Sequence, residues 1–203
     1  MSIAVVDGGT YYHAASIGDP RFRGYFDAVL PLQDLAGCPL SDHAALVLPD
    51  RTHPARLRSH RAQLLDYLAA GGFLVVFGES EAESWLPDVT ATAVPTNFWW
   101  WLKAGADIGF TVASPGHGLF RYLTREDCIW HYHMVYAPPC NATPLLLDCD
   151  GRAVLYEQEM ETGGRLMLSG LDPFYHHGSN FMPATTRFLT GFLPWLRGAA
   201  RPR

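Results

Sequence analysis

Apolar positions fall into two periods along the chain. Short, nearly continuous apolar runs at Ser2–Val6, Phe26–Leu30, Ala44–Leu48 and Phe73–Phe77 fit strands covered on both faces, as in a parallel sheet. The first run enters Asp7-Gly8-Gly9, a turn that permits close backbone approach, and the third ends at Pro49-Asp50. Between the third and fourth runs, Leu57, Leu64, Leu65 and Leu68 recur at helical spacing. Pro54 suits the first turn and Gly71-Gly72 the stop, so the pattern predicts a helix over 54–70. Gly78-Glu79-Ser80-Glu81-Ala82 then turns sharply into a short helix through Trp85. Strand and helix alternating in this way predict a parallel sheet with helices on both faces.

The second half reads differently. Residues 90–127 are less regular and carry Asn97-Phe98-Trp99-Trp100-Trp101, an aromatic cluster that fits a core or interface plug. Ile129–Tyr136, Leu145–Leu147, Val154–Glu157 and Leu166–Ser169 predict further strands, with Asp150-Gly151 and Gly163-Gly164 as hairpin turns, so this half is partly antiparallel. Phe188, Leu189, Phe192, Leu193 and Leu196 predict a closing helix from Pro183 to about Leu196, with Ser179 or Asn180 as its cap. The expected architecture is a flavodoxin-like three-layer α/β sandwich, its central sheet mainly parallel. With no repeat, linker or low-complexity segment, the 203 residues predict one domain over 1–203.

Charge narrows the function classes. Against 20 acidic side chains the chain carries 15 Lys and Arg, a net charge of −5, which leaves no excess to neutralise a phosphate backbone and argues against nucleic acid as a partner. The one basic run, Arg51, Arg56, Arg58, His60 and Arg61, flanks or enters a helix and reads as a solvated helix face. No apolar stretch is long enough to cross a bilayer. Met1–Asp7 runs straight into a strand pattern without the features of a secretory signal. Cys38, Cys128, Cys140 and Cys149 lack C-x-x-C spacing and read as buried or loop residues of a reducing compartment, so the expected location is the cytoplasm.

Candidate chemistry collects where strands end, the side of an open parallel sheet on which ligands bind. The first strand delivers Asp7, Gly8 and Gly9 with Tyr11, Tyr12 and His13 behind them; the third delivers Asp50, Arg51 and His53; the fourth delivers Glu79 and Ser80. The late strand delivers Asp172, Tyr175, His176 and His177. Three chemistries fit. In the first, Ser80 is a nucleophile, His176 or His177 its base, and Asp172, Asp7 or Glu79 the orienting acid. In the second, His131 and His133, two apart on a strand and so on one face, ligate a divalent metal, zinc or manganese. His176 and His177 with Asp172, Asp50 or Glu79 complete that set. In the third, the rim only binds: Asp7, Asp50, Arg51 and the histidines supply hydrogen bonds to a small polar ligand, and Tyr11, Tyr12, Tyr175 and Trp99–Trp101, Trp100 among them, supply flat faces. An exposed tryptophan cluster would also suit a homo-oligomer contact.

Gly78-Glu79-Ser80-Glu81-Ala82 resembles the nucleophile elbow of class I glutamine amidotransferase-like proteins, which place Gly-x-Cys-x-Gly after a buried strand. Gly164-Arg165-Leu166-Met167-Leu168-Ser169-Gly170 followed by His176-His177 resembles the part of that family that supplies the triad histidine. Gly71-Gly72 before the elbow strand and Pro115-Gly116-His117-Gly118-Leu119 are similar to the trehalose-utilisation (ThuA-like) branch. The resemblance implies a flavodoxin-like sheet and tilts the ligand toward carbohydrate. Ser80 stands where the family has cysteine, and no glutamate follows the histidine pair. Glutaminase activity is therefore not expected, since a serine hydroxyl is a weak nucleophile until a base takes its proton; hydrolysis is the expected reaction if the site turns its ligand over.

Overall fold

The computed structural model describes residues 2–95 and 102–200. Its first half runs β1 (Ile3–Asp7), α1 (Tyr11–Gly18), β2 (Ala28–Pro31), β3 (Ala45–Leu48), α2 (Pro54–Ser59), α3 (Arg61–Ala69) and β4 (Phe73–Val76). The second half adds β5 (Thr90–Ala93), β6 (Thr111–Val112), β7 (Met134–Ala137), β8 (Ala142–Leu147), β9 (Ala153–Glu159), β10 (Arg165–Ser169), α4 (Pro173–Gly178) and α5 (Pro183–Ala199).

Five strands run parallel in the order β2-β1-β3-β4-β10. This is the 2-1-3-4-5 arrangement of flavodoxin-like sheets, with β10 in the fifth place. Antiparallel pairing begins at β10 with β9; β9 pairs with β7 and β8, and β5 and β6 complete the edges. Alternate residues serve opposite layers. Ile3, Val5, Val47, Val75 and Met167 pack with Ile17, Phe174, Phe188 and Phe192 of α1, α4 and α5, whereas Val6, Leu46, Leu74 and Leu168 pack with Leu57, Leu64 and Leu68 of α2 and α3. Continuous apolar runs were required because both faces of the sheet are covered.

Several boundaries differ from those read off the sequence. The helix over 54–70 is two helices, because His60 leaves the helical well at φ −100°, ψ 8° and its N–H closes α2 onto Arg56 and Leu57. Side-chain periodicity continues through this break and does not register it. The strand over Ile129–Tyr136 shortens to β7. The bond from the Val94 N–H to the His133 carbonyl lies at the end of its β5 ladder, and upstream of it Trp130, His131 and Tyr132 are all buried. Ser179 and Asn180 do not cap α5; their N–H groups close α4 onto Tyr175 and His177, and Met182, at φ 65°, precedes α5. Two short helices escaped the periodicity: α1, capped by the Thr10 hydroxyl, and α4. A Cβ on Gly178 would run into the Tyr12 carbonyl oxygen, so glycine is what lets α4 lie against α1.

Candidate functional site

The ends of β3, β4 and β10 lie side by side and feed Asp50-Arg51, Glu79-Ser80 and Asp172 into one region. Asp172 is the residue before α4 and is fully buried. Its own side chain does not cap that helix. The cap comes from across the sheet: the Asp50 carboxylate accepts the Phe174 N–H at 2.8 Å and the Tyr175 N–H at 2.9 Å, satisfying two donors of the first turn. Asp50 is in turn held by His13. The Gly8 N–H donates to His13 Nδ1 at 3.1 Å, so the ring proton sits on Nε2, which donates to the Asp50 carbonyl at 2.7 Å. Burial keeps the His13 pKa below the ordinary histidine value, against the opposing pull of the Asp50 carbonyl and Asp7.

Asp172 is the hub of the cluster. Trp130 Nε1–H donates to its Oδ1 at 3.0 Å. Its Oδ2 lies 3.1 Å from His176 Nε2, 3.5 Å from an Arg51 guanidinium nitrogen and 3.6 Å from His133 Nε2. His176 Nε2 also stands 2.9 Å from His131 Nε2, the two rings edge to face. Arg51 reaches Glu79 at 2.7 Å and lies 3.6 Å from the centre of the Tyr175 ring, a cation held over a π face. Arg51 and Glu79 both take left-handed backbone conformations, φ 58° and 57°. Such strain costs about 1–3 kcal/mol per residue and persists where the surroundings impose it.

Charge is distributed unevenly among these groups. Burial raises the Asp50 carboxyl, reinforced by the neighbouring Asp172. Burial also opposes ionisation of Asp172, but the neighbouring His133 and His176 imidazoles outweigh it and hold that carboxyl below the ordinary range. The histidines separate: burial pushes His131 down to about 4, whereas at His133 the neighbouring Asp172 and Glu79 carboxylates overcome burial and raise the pKa. A neutral imidazole and a protonation-prone one thus flank the same carboxylate.

The residues singled out from the sequence divide into two sets. Arg51, Glu79, Asp172, His176, His131 and His133 come together, and Tyr12 touches the group through its edge-on contact with Tyr175. His131 and His133 belong to the inward-folding segment before β7 rather than to a strand, yet their rings still meet, centroids 5.3 Å apart. Asp50 stands beneath the cluster with both carboxylate oxygens on backbone N–H groups. His177 faces elsewhere, bonded to Asp19 and Thr186. Asp7, Gly8 and Gly9 line a different cavity of ≈ 420 Å³ with Gln33, His53 and Arg56. Ser80 is buried, and among the described residues its hydroxyl has no hydrogen-bond partner, so neither His176 nor His177 is joined to it. At a strained elbow the residue with the unusual backbone is the one presented; Glu79 and Glu81 carry positive φ here, and Ser80 does not. Trp100 lies outside the described residues. Sequence reasoning missed Trp130 as a donor to Asp172; its place next to His131 in Trp130-His131-Tyr132-His133 was the available signal.

A cavity of ≈ 250 Å³ opens beside the cluster, lined by His176 with Arg21, His177, Phe181 and Thr186. No cysteine lies at the elbow, and burial pushes the Cys128 thiol up to about 12, out of the nucleophilic range. Among the described residues no helix is long and apolar enough to cross a membrane.

No protein-family model matches the sequence, and no curated protein matches it. Solved structures do. A glutamine amidotransferase from Thermotoga maritima superposes with a TM-score of 0.60 at 10% identity, over 97% of this chain and 95% of that one. A ThuA-like protein from Bacteroides uniformis gives 0.56 at 12% identity, over 96% and 91% of the two chains. A protein from Thermoplasma acidophilum named for GMP synthase gives 0.54 at 14%, over 98% and 96%. The fold is that of the class I glutamine amidotransferase-like and ThuA-like proteins. At such identities the likeness establishes architecture alone, and the chemistry must be argued from this chain's own residues. In this chain the turn after β4 presents Glu79 toward Arg51, His133 and Asp172.

Proposed function

We propose that the amidotransferase-like domain binds a small polar molecule at the ends of β3, β4 and β10 and hydrolyses it by acid–base chemistry, without glutaminase activity. The observation that carries this reading is the buried Asp172 carboxylate, surrounded by Trp130, His133, His176 and Arg51, with His131 against His176. Burying that many ionisable groups costs stability unless each is paired, and such clusters concentrate where function requires them. Titratable groups whose environments drive their pKa values apart suit opposite roles. His131, neutral at pH 7, and His176 orient a water for attack on an acyl carbon and take its proton; His133, with its raised pKa, delivers a proton to the leaving group. Arg51, fixed by Glu79 and Tyr175, receives the developing oxyanion.

A covalent serine mechanism is disfavoured because the Ser80 hydroxyl engages neither histidine. The test is turnover of a panel of small esters, amides and sugar-derived lactones by the wild-type chain, Asp172→Asn, His133→Gln and Ser80→Ala. Asp172→Asn and His133→Gln are expected to lower kcat/KM by about 100-fold or more, within the range for general acid–base groups, while Ser80→Ala changes it little. Full activity in Asp172→Asn, or loss of activity in Ser80→Ala alone, sinks the proposal.

A further inference from the structure

The geometry points to a divalent metal site, best suited to zinc, formed by His131 Nε2, His176 Nε2 and Asp172 Oδ2. The inference deepens the hydrolytic reading and rests on it for the role of the ion. Its location rests on the donor atoms alone.

Side chains from two parts of the chain, His131 from the segment before β7 and Asp172 and His176 one helical turn apart at α4, bring a ligand atom to one buried place, all three atoms lying within 4.8 Å of one another. Two edges of that triangle are 2.9 Å, between the histidine nitrogens, and 3.1 Å, from His176 to Asp172. Zinc with bonds near 2.05 Å in tetrahedral geometry requires ligand–ligand edges of about 3.3 Å, so each observed edge opens by only a few tenths of an ångström to accept it. One nitrogen, His176 Nε2, faces both neighbours at once. A single ring proton satisfies one of those contacts well, whereas a cation satisfies the lone pairs of all three groups together.

The surroundings favour this triangle over the second one in the cluster, Glu79, His133 and Asp172. There the Arg51 guanidinium already pairs with Glu79 at 2.7 Å, so a dication would compete with a fixed positive charge for that ligand, whereas in the first triangle Arg51 touches only the shared Asp172 oxygen, at 3.5 Å. The other Asp172 oxygen is fixed by Trp130, the kind of outer hydrogen bond that orients a carboxylate ligand. Two imidazoles and one carboxylate are the ligand set of open zinc sites that keep a fourth position for water. Of the three ligands, His176 also lines the neighbouring cavity, with Arg21 and Phe181. In that position an ion would lower the pKa of its water and supply the hydroxide that attacks the acyl carbon. The water's proton passes to bulk or to the leaving group, and no oxidant or further reactant is needed.

The experiment is cobalt and zinc titration of the full chain after chelator treatment, followed by the visible d–d bands of Co²⁺ and by calorimetry. One equivalent of Co²⁺ should bind with four- or five-coordinate bands that zinc abolishes. His131→Gln and His176→Gln should weaken binding by more than about 100-fold, exceeding the usual effect of losing an outer hydrogen bond, and Glu79→Gln should leave it within about threefold. Circular dichroism confirms that each variant is folded, and the two histidine variants act as independent checks. Absence of saturable binding by the folded wild-type chain overturns the site. So does binding that survives His131→Gln and fails in Glu79→Gln. Turnover by the chelated protein separates the two proposals: full activity without metal removes the ion's role and leaves the hydrolytic reading standing, whereas one bound equivalent with no hydrolysis of the panel does the reverse.

Discussion

Removing the Asp50 side chain tests how the site is held in place. Asp50→Ala deletes both acceptors at the start of α4 and leaves the Phe174 and Tyr175 N–H groups without them inside the protein, beside the residue that carries the cluster's central carboxylate. Hydrogen bonds to a charged group contribute about 1.5–3 kcal/mol each, so the two bonds set an upper range of roughly 3–6 kcal/mol. Burial and the nearby Asp172 raise the Asp50 pKa, an electrostatic cost that the substitution removes. The net loss expected is roughly 2–4 kcal/mol, equivalent to about 5–15 °C in Tm for a domain of this size. Asp50→Asn keeps one acceptor and turns an NH₂ toward the other donor, so its loss should be smaller. Urea unfolding followed by tryptophan fluorescence gives both values, provided the slope with denaturant is unchanged. A loss below about 1 kcal/mol in Asp50→Ala, or an Asn variant less stable than the Ala variant, would refute the assignment of Asp50 as the cap of α4.

Other perturbations follow from the same geometry. Ser80→Ala removes a buried hydroxyl that has no partner among the described residues and should leave stability unchanged or raise it by up to about 1 kcal/mol; a clear loss in thermal unfolding would reveal a bond that this arrangement lacks. Gly178→Ala should destabilise by roughly 1–3 kcal/mol or more by forcing α4 away from the Tyr12 carbonyl, and an unchanged Tm would show that the α1–α4 contact is loose. Acidification should weaken the fold through His13. Its folded pKa is depressed by burial below the unfolded value of about 6.5, so in that window the unfolded chain binds more protons. The neutral-His13 contribution is then complete above about pH 6.5 and falls away as the pH drops toward the folded pKa. Urea midpoints measured across this range should vary less steeply in His13→Asn, and an unaltered pH slope would count against the Gly8–His13–Asp50 relay.

Much of the architecture was legible because it is written in local periods. The four early strands, the closing helix and the hairpin turns at Gly151 and Gly163 appear where apolar runs, helical spacing and glycine place them, both glycines at positive φ. Sheets covered on both faces need unbroken apolar strands, and that need is visible residue by residue. Breaks that depend on backbone alone, at His60 and before Met134, leave no mark on side-chain spacing and were read through. The strand ends were also legible as places, since loops there carry Asp50, Arg51, Glu79, Asp172 and His176.

By itself, then, the sequence determined the layers, the parallel half of the sheet and the rim toward which polar residues point. Tertiary structure decided which of those residues meet. The insertion of β10 beside β4 brings Asp172 to Arg51 and Glu79, and the inward fold of residues 129–133 brings Trp130, His131 and His133 to it. It also turned His177 toward Asp19, left the Ser80 hydroxyl without a partner among the described residues and placed Asp50 under a helix rather than on the rim. The physical reason is separation along the chain. Asp172 lies 121 residues from Arg51 and 42 from Trp130, and contacts at that distance are set by strand order and packing, which no local pattern of apolar and polar positions contains.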